Sequence, residues 1–289
     1  MKGILLAGGL GERLFPITRA TSKQLLPVYD KPMIFYPLCA LMQAGAREVL
    51  IIVRPTEEDR FRSLLSDGSQ WGMDISYAIQ PNPNGIAVAP LIGADFLGDA
   101  QFALALGDNI FCGGDFDARL ATAATTSTGA TIFLKRVEEP GRYGVVEFAA
   151  DERPRRIVEK PENPPSDYAV TGLYIYDGDA VSMARGLKPS ARGELEITDL
   201  NNAYLARERL SVVRLSDDDA WLDMGTPEGL LEASQFVASE QQRRGERIGV
   251  PEHIGLRNGW VDASGIERLA ASYGDNDYGR YLRRLIGDV

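Results

Sequence analysis

Three local features of this 289-residue sequence combine glycines, cations and acids in ways that suit phosphate chemistry. The first is GGLGERL at residues 8–14, directly after the apolar run KGILLA. Glycines allow a sharp turn that presents successive N–H groups to an anion, and the Arg13 guanidinium matches phosphate oxygens. No Gly-Lys-Ser/Thr follows, and Leu14 takes the place of a third glycine, so neither a Walker A loop nor a dinucleotide fingerprint is present. The segment predicts a phosphate-binding turn; the alternative is a structural turn with Arg13 in a surface ion pair.

The second segment is SKQLLPVYDKPMI at residues 22–34, in which Lys23 lies among small and apolar residues. Lys23 and Arg13 are ten residues apart and flank the same glycine loop. Two cations in that position suit a triphosphate. On spacing alone, a solvated loop lysine is an equally good interpretation of Lys23.

The third feature is a pair of acids that each follow an apolar run. Asp108 lies in LALGDNIF and Asp223 in AWLDMGTPEGL. Ligands of open α/β sheets bind where strands end, and two carboxylates from separate loops can hold Mg²⁺ and leave positions for phosphate oxygens. Asp108 and Asp223 are therefore candidate metal ligands, although a lone aspartate after a strand is often only a turn residue.

Composition limits the possible functions. The 31 basic and 41 acidic side chains give a net charge of −10, which argues against a nucleic-acid partner because that requires a basic surface. We also expect no membrane partner, since no apolar run approaches the ~18 residues of a membrane span. Cys39 and Cys112 form no CxxC pair, so a reducing cytoplasm fits. A histidine-based mechanism would rest on His253 alone, and its surroundings do not favour one.

The elements that must position these residues alternate between strand and helix over the first 130 residues. Strands are predicted at residues 2–7, 49–53, 74–79 and 102–106, with helices at 33–43, from Thr56 as the N-cap through Leu65, and at 87–96. This order predicts an α/β fold with a mostly parallel, Rossmann-like sheet flanked by helices on both faces.

The pattern changes after residue 130. ATIFLKRV, YGVVEF and YAVTGLYIYD read as strands joined by turns, which predicts mixed or antiparallel pairing. Further predicted elements are a helix at 195–208, a strand at 212–215, a helix at 226–244 and a small helical tail. We expect one domain, 1–289, with a nucleotide-binding half (1–130), a sugar-phosphate half (131–225) and a helical C-terminal part (226–289).

Together, these segments resemble the glucose-1-phosphate thymidylyltransferases of the nucleoside-diphosphate-sugar pyrophosphorylase superfamily. The likeness runs through the whole chain and is carried by LAGGLGERL, SKQLLPVYDKPMIFYPL, LGDNIF, RYGVVEF, VEKP, YAVTGLYIYD, ARGELEITDLN and AWLDMGT. It is closer to the short tetrameric thymidylyltransferases than to the longer uridylyl- or adenylyltransferases.

The resemblance implies a role for each matching residue. Arg13, Lys23, Asp108, Lys160 and Asp223 would be catalytic, and Asp108 and Asp223 would hold Mg²⁺. The implied nucleotide-binding residues are Gly8, Gly9, Gly11, Gln24, Gln80 and Gly85, with Gln80 reading the base. The implied sugar-phosphate residues are Asn109, Tyr143, Gly144, Glu159, Lys160, Val170 and Arg192. From sequence alone, Glu159 and Lys160 also fit a strand-end ion pair.

The implied reaction is Mg²⁺-dependent transfer of a thymidylyl group from dTTP to α-D-glucose 1-phosphate by a cytoplasmic homotetramer. A phosphate oxygen is already ionised near neutral pH, so the near absence of histidine is no objection. The apolar positions of the tail 262–289 support a subunit contact, unless the tail folds back on its own subunit.

Four residues depart from the family pattern: Glu12 in the glycine loop, Val88 and Pro90 near the nucleotide side, and Cys112 in place of a tyrosine of the secondary nucleotide site. These departures bear on the base preference, the rate and feedback inhibition expected from the resemblance, and they leave the metal and phosphate groups intact. Two rival functions stay open. One is a nucleotidylyltransferase for another nucleotide or sugar, such as UTP, and the other is a nucleotide-sugar sensor without turnover.

Overall fold

A computed structural model describes residues 1–287, and the last two residues of the predicted tail lie outside the described residues. Its strands are β1 (Lys2–Ala7), β2 (Pro27–Val28), β3 (Lys31–Pro32), β4 (Glu48–Val53), β5 (Asp74–Ile79), β6 (Phe102–Leu106), β7 (Asn109–Cys112), β8 (Ala130–Arg136), β9 (Gly144–Phe148), β10 (Pro154–Glu159), β11 (Tyr168–Tyr176), β12 (Leu210–Arg214) and β13 (Ala220–Asp223).

Helices are interspersed among these strands. They are α1 (Phe35–Gln43), α2 (Glu58–Leu65), α3 (Ala89–Ile92), α4 (Ala94–Leu97), α5 (Phe116–Thr126), α6 (Asp179–Arg185), α7 (Ile197–Leu205), α8 (Pro227–Arg244), α9 (Pro251–Arg257), α10 (Ala263–Tyr273) and α11 (Asp277–Gly287). None of the helices within residues 1–287 combines the length and the apolar character needed to cross a bilayer.

Nine strands form the central sheet. Strands β6, β1, β4 and β5 are parallel neighbours, and β11 pairs antiparallel with β6. Alternate residues of β1 point to opposite faces: Ile4 packs in one hydrophobic cluster with α7, and Leu5 packs in another with α1. The predicted α/β class, with a mixed, mostly parallel sheet between helices, is confirmed.

Strand β11 divides the sheet into two branches. One of its edges pairs with β8, while the other pairs first with β9, through Ala169, and then with β6, from Leu173 onward. The register against β8 shifts between Val170 and Tyr174, which is where the two branches separate. A bulge of this kind bends the strand and interrupts the ladder, so the fork opens a cleft between the β9–β10 hairpin and β6.

The structure corrects several predicted boundaries. Helix α1 begins at Phe35, two residues later than predicted, and Thr56 does not cap α2, whose N-cap is Glu57. The single helix predicted over 87–96 is two short helices that are separated at Gly93. A side chain at this position would lie 3.0 Å from Ile4 Cδ1. Strand β10 is an additional strand, paired with β9. Helix α8, predicted from residue 226, begins at Pro227, and the Thr226 side chain caps it.

The C-terminal tail packs on its own subunit. Helices α10 and α11 form a hairpin whose buried residues Tyr281 and Leu282 contact Val250 and Ile266. Four further tail residues join this cluster from its edge. The apolar positions that suggested a subunit contact are therefore largely covered within the chain, and they do not by themselves require a second subunit.

Candidate active site

The fork in the sheet opens into a cavity of about 270 Å³ at the carboxyl ends of β1 and β6. This is the usual position of ligands in open α/β sheets. The cavity is lined by Leu6, Gly9, Arg13, Lys23, Gln24, Ile86, Leu106, Asp108, Asn109, Arg142, Tyr143, Gly144, Glu159, Lys160, Val170, Thr171, Gly172, Tyr174, Ile197, Thr198, Trp221 and Asp223.

A two-stranded ladder brings the two candidate metal ligands together. Strand β7 pairs antiparallel with β13, so that Asn109 lies opposite Asp223. The Met224 N–H donates to the Asp108 carbonyl oxygen at 3.0 Å and continues this pairing beyond the strands. Asp108 and Asp223, far apart in sequence, therefore line the same wall of the cavity.

The two carboxyl groups differ in their surroundings. Burial alone would raise the pKa of Asp108, but the Lys23 ammonium, which forms an ion pair and a hydrogen bond with it, and the Asn109 amide hold that pKa below its usual range. Burial and the nearby charge of Asp108 raise the pKa of Asp223. Within residues 1–287, no hydrogen bond or ion pair engages the Asp223 side chain.

These donors suit a hard divalent cation. Carboxylate oxygens are its preferred ligands, and such an ion would relieve the repulsion between two buried acids. In the part of the chain that the structure describes, no third acid, histidine or cysteine completes an all-protein cluster. Mg²⁺ commonly binds one or two carboxylates and takes its other ligands from water and phosphate, so Asp108 and Asp223 fit that kind of site.

The glycine loop lies at the cavity beside Lys23. Gly9 lines the cavity, and Gly11 has a φ of 67°, which favours glycine. Gly8 does not line the cavity. A side chain there would collide with the buried amide of Gln80. The sequence-predicted pair Gly8 and Gln80 is therefore in direct contact at the end of β1.

Two other predicted nucleotide residues are fixed by close packing. Gln24 is buried at the cavity and accepts a hydrogen bond from the Ser22 hydroxyl at 2.6 Å. Gly85, with a φ of 105°, lies outside the lining and packs against the backbone of Leu195, where a side chain would not fit. Its neighbours tie the loop down, since the Leu195 N–H donates to the Asn84 carbonyl at 2.9 Å.

Most predicted sugar-phosphate residues meet in the same cavity. Asn109, Tyr143, Gly144, Glu159, Lys160 and Val170 all line the cavity. The Trp221 indole N–H donates to the Asn109 amide oxygen at 2.6 Å, and the Thr198 hydroxyl donates to Glu159 at 2.5 Å. Burial raises the pKa of Tyr143, and Asp223 adds to that effect.

Lys160 has an unusual backbone for a residue with a side chain. Its φ is 44°, in the left-handed region, and its N–H donates to the Tyr143 carbonyl oxygen at 2.9 Å. Its ammonium is 3.9 Å from a Glu159 carboxylate oxygen and is half-exposed. Strained backbone of this kind clusters at functional sites, so the backbone of Lys160 suits a binding role. The ion pair between Glu159 and Lys160, which the sequence left as an alternative, is also present.

Arg192 does not line the cavity. Its guanidinium donates to both carboxylate oxygens of Glu196, at 2.9 and 2.8 Å, and more weakly to Glu159 at 3.5 Å. These contacts place Arg192 beside the predicted sugar-phosphate subsite, where it contacts Glu159, a residue of the cavity lining.

The cavity also contains residues that the sequence did not single out. Arg142, Thr198 and Trp221 line it, and Gly172 allows the Asn109 amide to approach, since any side chain at 172 would overlap it. All four lie inside motifs that carried the family resemblance, namely RYGVVEF, ARGELEITDLN, AWLDMGT and YAVTGLYIYD. Their position inside these motifs was the sequence signal that could have identified them as cavity residues.

The four departures from the family pattern do not disturb this cavity. Glu12 and its side chain are exposed to solvent, whereas Val88 and Pro90 are buried around the start of α3. Cys112 is buried in a second cavity of about 300 Å³, which Cys39 also lines.

Comparison with known proteins places the chain among nucleotidyl transferases. The profile of the family described as "Nucleotidyl transferase" matches residues 2–240. A glucose-1-phosphate thymidylyltransferase from Neisseria meningitidis is 54% identical over 286 residues, covering 99% of both chains. One from Xanthomonas campestris is also 54% identical, covering 98% of this chain and 96% of its own.

Solved structures agree with these relatives. A protein from Bacillus anthracis assigned as a glucose-1-phosphate thymidylyltransferase, in complex with a sucrose, superimposes with a TM-score of 0.76 at 41% identity, over 82% of this chain and 94% of that one. A UDP-glucose pyrophosphorylase complexed with UDP-glucose gives 0.73 at 28% identity, over 83% and 98%. The chain therefore belongs to the nucleotidyl transferase family and, within it, to the glucose-1-phosphate thymidylyltransferases.

Proposed function

We propose that this enzyme transfers a thymidylyl group from dTTP to α-D-glucose 1-phosphate, giving dTDP-glucose and pyrophosphate. One observation carries the proposal: a single cavity is lined both by Asp108, Asp223, Lys23 and Arg13 and by Glu159 and Lys160. The relatives at 54% identity bear the name of this activity.

In the proposed reaction, an oxygen of the sugar phosphate attacks the α-phosphorus of the nucleotide and forms a new P–O bond. The bond from the α-phosphorus to the α,β-bridging oxygen breaks, and pyrophosphate leaves with that electron pair. Such a step needs positioning and charge neutralisation more than a covalent nucleophile. Lys23 and Arg13 suit the triphosphate, and Lys160 suits the sugar phosphate.

We propose Mg²⁺ as the divalent cofactor, held by Asp108 and Asp223. When bound, it would offset the negative charge of the phosphate groups in the transition state. The chain's own cations share this task, because two anionic substrates must approach one another in a partly buried cavity. The Glu159 carboxylate, fixed by the Thr198 hydroxyl, is placed to accept hydrogen bonds from sugar hydroxyls.

For the base, we propose that Gln80 reads a pyrimidine edge. A glutamine amide can donate and accept at once, which matches a carbonyl beside an N–H. Thymidine and uridine triphosphates should both be used. A single methyl group is worth only ~1–3 kcal/mol, so we expect a preference for thymidine of about an order of magnitude.

A pyrophosphate-release assay with four nucleoside triphosphates and several hexose 1-phosphates tests this function. The expected order of kcat/KM is dTTP, then UTP, with ATP and GTP poor. Equal use of a purine would remove Gln80 as a reader of the pyrimidine edge. UTP preferred over dTTP would favour the uridylyltransferase alternative, which the likeness to a UDP-glucose pyrophosphorylase keeps relevant. Binding without any turnover would favour a sensor.

The remaining proposals concern organisation. We propose that residues 1–130 bind the nucleotide, 131–225 bind the sugar phosphate, and 226–289 form the helical C-terminal part of one domain. Two free, buried cysteines suit a reducing cytoplasm. We propose a homotetramer on the basis of the family, and light scattering at micromolar concentration tests it, since a monomeric mass would refute it.

A further inference from the structure

The Lys23 ammonium is bonded to the carboxylate that is proposed to bind the metal. Its Nζ atom forms an ion pair with Oδ2 of Asp108, and both side chains are largely buried. The other Asp108 oxygen accepts a hydrogen bond from the Asn109 amide at 3.0 Å. Both oxygens of Asp108 are therefore engaged by side-chain donors, and the positive charge of the Lys23 ammonium at Oδ2 opposes a second cation at the same carboxylate.

Of the two donors, Lys23 is the one that can be drawn away. The Asn109 amide is held by the Trp221 indole N–H at 2.6 Å and packs against the backbone of Gly172. Lys23 is a flexible side chain that lies beside the glycine loop, where a side chain on Gly9 would be 3.8 Å from its Cε. A triphosphate in that loop offers the ammonium several anionic oxygens.

Without any ligand, the lining of the cavity already carries slightly more positive than negative charge. It contains three carboxylates, those of Asp108, Glu159 and Asp223, and four cations, those of Arg13, Lys23, Arg142 and Lys160. Arg13 approaches Asp223 across Gly225, since a side chain at 225 would lie 3.0 Å from its Cζ and 3.1 Å from the Asp223 carboxylate. A divalent cation alone would add an uncompensated double positive charge to a partly buried site, where charge is costly.

We infer that Lys23 exchanges its partner from Asp108 to the triphosphate and thereby makes binding of the divalent cation and of the nucleotide interdependent. This inference rests on the proposed function. The nucleotide removes Lys23 from Asp108 and supplies the negative charge that the cation needs. By linkage, the cation strengthens nucleotide binding by the same factor. The free enzyme should hold its metal weakly.

The test measures Mn²⁺ binding by electron paramagnetic resonance of the free ion, in the absence of nucleotide and of sugar phosphate. We expect Lys23→Met to bind Mn²⁺ at least about tenfold more tightly than the wild type, because Asp108 is released from its ion pair. Arg13→Met is the matched control. It removes the same charge but no bond to Asp108, so its Mn²⁺ affinity should rise no more than about threefold.

A double variant separates the exchange from the site itself. In Lys23→Met with Asp108→Asn, the gained Mn²⁺ affinity should disappear. If the double variant keeps the tight site, Asp108 is not the metal ligand, and that part of the proposed function fails. If the double variant is weak but Lys23→Met binds no more tightly than the wild type or Arg13→Met, the exchange is refuted while the metal site stands. Circular dichroism establishes that each variant is folded.

Discussion

Buried carboxylates occur in two contrasting regions of this enzyme, the active-site cavity and the C-terminal helical hairpin. In the cavity, Asp108 is paired with the Lys23 ammonium, and Asp223 has no side-chain partner in residues 1–287. In the hairpin region, the fully buried Glu252 accepts hydrogen bonds from two hydroxyls, from Tyr273 at 3.1 Å and from Tyr278 at 2.7 Å.

The difference separates a binding site from a structural contact. The cavity carboxylates face a space of about 270 Å³ and cations on flexible side chains, so their partners can change when a ligand arrives. Glu252 is closed in by aromatic rings from α10 and α11, and its two hydrogen bonds join helix α9 to the hairpin. A buried acid is therefore a functional candidate when its neighbours are exchangeable, and a structural one when they are fixed by packing.

The largest expected effect is a loss of turnover, and it is tested by replacing carboxylates in both regions with the matching amides. Asp108→Asn and Asp223→Asn should each reduce turnover at least about 100-fold, because each removes a strong electrostatic contribution. Glu252→Gln, the matched change in helix α9 beside the hairpin, should leave turnover within about twofold. Steady-state kinetics at saturating substrates measures both. Normal rates in either aspartate variant, with unchanged dependence on Mg²⁺, would exclude that residue from the metal site.

Within the cavity, a second substitution distinguishes the proposed sugar-phosphate subsite from the nucleotide subsite. Lys160→Ala should raise the KM for glucose 1-phosphate by about tenfold or more while dTTP binding changes little, because its ammonium is assigned to the sugar phosphate. Lysine and alanine share a Cβ, so the cost of the left-handed backbone is similar in both. Calorimetry with dTTP alone supplies the second measurement.

The exposed Lys188 serves as the control for this experiment. It lies outside the cavity lining, so Lys188→Ala should change neither the KM for sugar phosphate nor the affinity for dTTP. A collapse of dTTP binding in Lys160→Ala would instead place Lys160 in the triphosphate subsite.

The smallest effect on activity is expected in the hairpin, where stability should change instead. Tyr278→Phe removes a hydrogen bond to a charged group, which is worth about 1.5–3 kcal/mol. This corresponds to a fall in Tm of roughly 3–10 °C, with turnover unchanged. Tyr273→Phe, whose longer bond is made by a more exposed residue, should lower Tm less. Thermal unfolding followed by circular dichroism measures the Tm of both variants and of the wild type. A variant that loses turnover while its Tm equals that of the wild type would contradict a structural role.

Much of the nucleotide half was predictable because its signals are local. A buried strand such as β1 is an uninterrupted apolar run, and the glycine loop after it needs turn residues at fixed positions. The structure has strands at all four places predicted before residue 130. The break at Gly93 was not predicted, because an isolated glycine is often tolerated inside a helical pattern.

The sugar-phosphate half was less predictable. Strand β10 and the fork at β11 depend on which strands pair, and the periodicity of a single strand does not specify its partner. Arg192 illustrates the same limit. Its motif predicts the subsite, but the carboxylates of Glu196 and Glu159 determine where the guanidinium lies.

By itself, the sequence determined the chemistry available to this protein: a glycine loop, two cations near it, two acids after apolar runs, and the motifs that identify its family. Only the tertiary structure decided how these groups meet. Asp108 and Asp223 become neighbours through the ladder between β7 and β13, and Lys23 reaches Asp108 across 85 positions of the chain. Short-range spacing fixes strands and turns, whereas contacts at such separations depend on the packing of the whole sheet and its helices.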